Sequence, residues 1–161
     1  MSKSTVQSRT IVLVSCVKSK RSQPSPAKDL YCSTLFDAQR GYAEATADQW
    51  FILSAEHGLL DPETRIAPYE KTLKGAPVAE KRAWTDRVWA ALQGRTEPSD
   101  VIVITAGEDY CRHLMPLLQK RGHEVQRPLK GLALGFQPGR LRELTAAART
   151  RVEASLDPQT R

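Results

Sequence analysis

The sequence predicts an α/β fold, a single three-layer α/β/α domain over residues 1–161 with a mainly parallel sheet of about four or five strands. Three observations predict it. Short, continuous runs of apolar and β-branched residues recur along the chain, as in strands buried on both faces. Stretches with helical apolar spacing separate those runs. Small, polar and charged residues follow each run, where open α/β sheets bind their ligands.

The first strand is Ile11-Val12-Leu13-Val14, followed by a polar loop that holds Pro24 and Pro26. Residues 29–47 are a predicted helix, with Leu35, Ala38, Tyr42 and Ala45 on one face. Trp50-Phe51-Ile52-Leu53 is the second strand. Residues 55–77 hold three prolines and two glycines and read as a long structured loop, a length usual for functional loops. Residues 78–92 are helical, with Trp84, Val88, Ala91 and Leu92 on one stripe. Asp100-Val101-Ile102-Val103-Ile104 is the third strand. Residues 108–121 form a helix that Pro116 should kink or break, with Gly122 as its cap. Residues 124–129 are a weak fourth strand, and residues 141–152 a last helix. The ends, 1–9 and 157–161, are expected to be flexible.

Composition bounds the function. Apolar residues are 40% of the chain, enough for a core and too many for a wholly disordered or collagen-like chain. The three cysteines, Cys16, Cys32 and Cys111, form no C-x-x-C pair, which argues against a disulfide framework and a Cys-rich zinc site. No metal or cofactor is expected. No run approaches the roughly 20 apolar residues of a membrane helix. The start of the chain lacks the apolar core of a signal peptide, so a cytoplasmic protein with no membrane partner is the expectation. The formal net charge of +6 suits an anionic partner, such as nucleic acid or nucleotide.

The four strand exits should converge on one edge of a parallel sheet. The first carries Cys16, Lys18 and Lys20, which alternation would put on one side of an extended segment. Ammonium groups there suit phosphate. The second carries Ser54, Glu56, His57 and Gly58; His57 is the residue able to trade protons near neutral pH. The third carries Gly107, Glu108, Asp109 and Tyr110, two carboxylates at a helix start that either cap the helix or serve a sugar or base. The fourth carries Lys130 and Gly131. Tyr69, in the long loop beside charges, has a ring suited to stacking on a base or packing on the core. No G-x-S-x-G elbow, phosphate loop or G-x-G-x-x-G pattern occurs, which argues against a serine hydrolase, ATP and NAD.

The segment Leu53-Ser54-Ala55-Glu56-His57-Gly58-Leu59-Leu60-Asp61-Pro62, followed by Pro68-Tyr69 and Leu73, resembles the L-S-x-x-x-G-x-L-x-P…PY segment of the YaaA superfamily. The chain is more similar still to a compact family of unknown function, also found in phages. That pattern is C-x-K-x-K, LY-x-x-x-x-F, R-x-YA, WFILSA-x-HGLL, PY and AG-x-x-Y. Here it falls on Cys16, Lys18 and Lys20, on Leu30, Tyr31 and Phe36, on Arg40, Tyr42 and Ala43, on residues 50–60, on Pro68 and Tyr69, and on Ala106, Gly107 and Tyr110. The likeness covers about residues 11–135. It implies a nucleic-acid or nucleotide context, since the YaaA proteins are bacterial peroxide-stress proteins thought to bind DNA.

Together these features give the expectation of a nucleic-acid- or nucleotide-directed enzyme that cleaves the N-glycosidic bond of a modified nucleobase. His57 would contact or protonate the leaving base, and Asp109, or else Glu108, would supply the carboxylate. Cys16, Lys18, Lys20, Ser54, Gly58, Tyr69, Gly107 and Tyr110 would line the substrate site. The alternatives are a non-catalytic nucleic-acid-binding module of stress response or phage defence, and a nucleotide sensor.

Overall fold

The computed structural model describes residues 8–156. Among the described residues there are seven strands: β1 (Thr10–Ser15), β2 (Ser25–Pro26), β3 (Gln49–Ser54), β4 (Gly58–Leu60), β5 (Arg65–Ile66), β6 (Val101–Ile104) and β7 (Val125–Gln126). The helices are α1 (Ala27–Leu30), α2 (Thr34–Thr46), α3 (Val78–Gln93), α4 (Glu108–Cys111), α5 (Leu114–Arg121) and α6 (Gln137–Leu156). A five-stranded sheet runs in the order β4-β3-β1-β6-β7, and β2 with β5 forms a small separate ladder. Within the five-stranded sheet β3, β1, β6 and β7 are parallel and β4 alone is antiparallel; β2 and β5 pair antiparallel with each other.

Strand alternation divides the core into two layers. Ile11, Leu13, Phe51, Leu53, Ile102 and Ile104 face α3 and α5, meeting Trp84, Val88, Leu92, Leu114 and Leu118. Val12, Val14, Ile52 and Val103 face α2 and α6, meeting Phe36, Ala38, Tyr42, Ala43 and Leu141. Both faces of the central strands are therefore buried, which is why their sequences are continuous apolar runs. The step from β1 to β3 crosses one face through α2. The opposite step, from β3 to β6, crosses the other through α3, so the crossovers share one hand, as twisted sheets require.

Several elements differ from expectation. The loop predicted over 55–77 contains β4 and β5. Gly58, at φ +71°, closes the turn that folds β4 back on β3, a conformation glycine adopts without steric cost. The helix predicted over 29–47 is two pieces, with Ser33 capping α2 by accepting the Phe36 N–H at 2.9 Å. The helix predicted over 108–121 also breaks, but before Pro116, which lies in the first turn of α5. Its missing N–H has no helical acceptor to lose there. Gly122 ends α5 at φ +111°, as its position predicts. The fourth strand shrinks from 124–129 to two residues, and the last helix lengthens to begin at Gln137. Of the expected flexible ends, 1–7 and 157–161 lie outside the described residues, whereas Arg9 is anchored by Asp100. No helix among the described residues is long and apolar enough to cross a membrane.

Candidate functional site

The four parallel strands bring their carboxyl ends to one edge. The order of β3, β1 and β6 makes the gap between β1 and β6 a topological switch point, the usual crevice for a ligand in such sheets. Gln39, fully buried on α2, ties the two sides of this gap together. Its Oε1 accepts from the Ser15 N–H at 3.0 Å and from the Thr105 hydroxyl at 2.6 Å. Its Nε2 donates to Ser15 Oγ at 3.1 Å. Replacing Gln39 by leucine would leave the half-buried Ser15 N–H without its partner and the buried Thr105 hydroxyl with only the longer contact to the Leu13 carbonyl, at 3.4 Å. The expected destabilisation is about 2 kcal/mol, read from the urea midpoint.

A hydroxyl chain lies on the β1–β3 side. Tyr31 Oη and Tyr69 Oη are 2.6 Å apart, and Tyr69 Oη is 2.7 Å from Ser54 Oγ. Ser54, fully buried at the end of β3, also accepts the His57 N–H at 3.0 Å. Burial pushes the Tyr31 phenol up to about 12. Burial raises Tyr69 as well, with the neighbouring Cys16 and Tyr31 adding to it. These phenols are therefore neutral donors and acceptors around pH 7. The Lys20 ammonium lies 4.4 Å from the Tyr69 ring centroid and 5.7 Å from that of Tyr31, a cation–π arrangement that holds it at the crevice. Burial lowers the Lys20 pKa, against the pull of Cys16 and Glu70. The His57 ring meets the Tyr69 ring edge-on with centroids 5.4 Å apart, and His57 itself is exposed.

A second group lies toward β6. Cys16, just past β1, donates its thiol to Tyr110 Oη at 3.5 Å, and that oxygen accepts the Leu73 N–H at 3.4 Å. Burial raises the Tyr110 phenol, and Cys16 adds to the shift. Trp84 packs edge-on to Tyr110 at 5.5 Å and donates its indole N–H to the Ser54 carbonyl at 2.8 Å. Cys16 thus stands between the two groups, close enough to bear electrostatically on Lys20, Tyr31, Tyr69 and Tyr110.

Of the residues that the sequence singles out, Cys16, Lys20, Ser54, Tyr69 and Tyr110 converge, with His57 at their rim. Gly58 shapes the β3–β4 turn below it. Lys18 is exposed and offers its carbonyl to the Lys20 ammonium at 3.1 Å. The Tyr69 ring carries Lys20, so a base would stack there only after that side chain moved aside. Gly107 is exposed at the β6 exit. The two carboxylates part company. Asp109 is bound to Lys81 of α3 at 2.7 Å, and Glu108 to Arg127 beyond β7. No pair of these two with His57 is within hydrogen-bond reach.

Four residues of the site were not foreseen as part of it: Tyr31, Gln39, Lys81 and Arg127. Gln39 had a legible signal, a polar residue set beside the apolar stripe of a helix. The other three are reached only through tertiary packing. A cleft of mixed charge opens beside Tyr31, with Arg21, Lys28 and Arg40 facing Asp29 and Asp37; Arg40 is paired with Asp29 and Lys28 with Glu63. Among the described residues no group of three or more His, Cys, Asp or Glu is arranged to hold a metal ion.

No curated protein and no solved structure matches this chain. A family model does match, over residues 11–143, which takes in every strand but the first residue of β1 and the whole crevice. The chain belongs to that family, described as a family of unknown function (DUF6884).

Proposed function

We propose that the crevice binds a nucleotide unit, free or within a nucleic acid, and cleaves its N-glycosidic bond. One observation carries the binding half of this reading. Lys20 is held over two tyrosine rings at the carboxyl edge of the sheet, on the β1–β3 side, with the exposed ring of His57 alongside. A fixed ammonium suits a phosphate, and an exposed imidazole suits a base edge or ring. Lys18 and Arg21 add positive charge on the same loop. The resemblance to the YaaA superfamily favours the same ligand class. In the chemical half, solvent water attacks the anomeric carbon as the bond to the base breaks; the Asp109 carboxylate, oriented by Lys81, stabilises the developing oxocarbenium ion and takes the proton of that water, and His57 gives a proton to the leaving base. Action on duplex DNA would require the base to be flipped out.

Lys20→Ala should weaken binding of a nucleoside monophosphate roughly tenfold, while binding of the matching nucleoside stays the same. Isothermal titration of both ligands reads this. Equal losses for both would remove Lys20 from the phosphate. Base release is sought by chromatography from free nucleotides and from oligonucleotides with modified bases. No release from either sinks the reaction.

A second reading, a non-catalytic nucleic-acid-binding module, is favoured by the engagement of both carboxylates in ion pairs. It requires salt-dependent DNA binding that survives both Asp109→Asn and His57→Ala. Stabilisation by free nucleotide but not by DNA would instead indicate a nucleotide sensor.

A further inference from the structure

Arg127 is an unusual arginine. It follows β7 at the carboxyl edge of the sheet, and its side chain is only 10% exposed. A guanidinium carries five N–H donors. Arg127 Nη1 donates to Glu108, whereas Nε is buried and has no hydrogen-bond partner. Buried donors are normally satisfied, so an orphan on a buried cation calls for an explanation. Glu108 itself is 65% exposed. The Arg127 guanidinium, with Lys130 and Arg112 nearby, holds its carboxyl below the usual range. The backbone brings two further cations to this pair: the Arg112 N–H donates to the Glu108 carbonyl at 2.9 Å, and the Lys130 N–H donates to the Arg127 carbonyl at 3.2 Å, and both side chains are exposed. A single monodentate carboxylate leaves both charge and donors unanswered. An oxyanion with three oxygens and up to two negative charges would answer them better.

We infer that Arg127, Arg112 and Lys130 form a phosphate seat, which the Glu108 carboxylate fills in the free protein and yields when phosphate binds. The inference rests on the nucleotide reading above and adds a second phosphate contact, at the β6 and β7 exits rather than at Lys20. The side chain of Glu108 is then a displaceable counter-ion, and Asp109 alone remains for the chemistry. Charge balance favours the exchange, since the incoming phosphate replaces one negative charge by one or two. The Glu108 side chain, already largely in water, regains full hydration when it leaves.

Inorganic phosphate is the probe, titrated into the full chain by calorimetry. Glu108→Gln should bind it roughly tenfold tighter than the wild type, because the competing charge is gone. Arg112→Ala and Lys130→Ala, both at exposed positions, should each weaken binding several-fold with the melting temperature unchanged. Arg127→Lys, which keeps the charge but loses the fork, should weaken it roughly tenfold. Affinity unchanged or lowered in Glu108→Gln overturns the seat. So does an absence of any effect in Arg112→Ala and Lys130→Ala, or an absence of phosphate binding altogether. A nucleoside monophosphate and a short single-stranded oligonucleotide, tested on Glu108→Gln, separate a free phosphate ester from a backbone phosphate by which of them gains. Inorganic phosphate carries neither base nor sugar. The seat can therefore hold where base release fails, and base release can hold where the seat fails.

Discussion

Asp109→Asn should lower base release by roughly 100-fold or more, with nucleotide affinity changed by less than about threefold. The asymmetry follows from position. Asp109 lies in α4, at the β6 exit, one residue before the Tyr110 that bonds Cys16 in the crevice. In the proposed reaction a carboxylate there would act on charge that develops only as the glycosidic bond breaks, so its removal would fall on the rate rather than on binding. Asparagine keeps an oxygen that can accept from Lys81, now at 2.7 Å from the acid, so the fold should be little affected. Lys81→Met should lower the rate less, because Lys81 acts through Asp109. Single-turnover release of base from a saturating nucleotide measures both. A rate untouched in Asp109→Asn would reduce the Lys81–Asp109 pair to a brace between α3 and α4.

Asp100→Ala should cost about 3 kcal/mol of stability, the largest effect expected of any substitution outside the crevice. The Asp100 side chain is 2% exposed. It accepts from the Arg9 guanidinium at 3.0 Å, the Arg9 N–H at 3.3 Å and the Glu97 N–H at 2.8 Å. It thereby fastens the chain before β1 to the turn before β6. Burial alone would raise its pKa, but the Arg9 guanidinium and the two amides outweigh burial and hold it below the usual carboxylate range. A depressed folded-state pKa gives stability that is complete above the unfolded value, about 4, and is lost as pH falls through the folded one. Urea midpoints between about pH 5 and pH 2 should therefore fall more steeply for the wild type than for Asp100→Ala. Parallel slopes would show that Asp100 carries no share of the acid sensitivity.

The central strands were legible because burial on both faces leaves no polar position inside β1, β3 or β6; the polar residues Thr10, Ser15, Gln49 and Ser54 stand only at strand ends. Their order was not written in any one of them. β2, β5 and β7 have two residues each, too few to carry a period. β4 was hidden because Gly58-Leu59-Leu60 follows its turn at once, and only pairing with Ile52, Leu53 and Ser54 makes it a strand. Within the site, residues that sit directly at strand exits were readable from the rule for α/β sheets. Tyr31 and Arg127 were not, since the chain reaches them from α1 and from beyond β7. The separation of Glu108 from Asp109 was equally hidden. Neighbours in sequence at the start of a short helix point to different partners, one to α3 and the other past β7.

The two margins of the sheet carry one more consequence. β4 has three residues and β7 two, so each margin exposes only a short row of unpaired backbone N–H and C=O groups. Long, flat margins are templates on which another chain can add a strand; short ones are poor templates. Self-association by strand addition is thus discouraged at both sides of the five-stranded sheet.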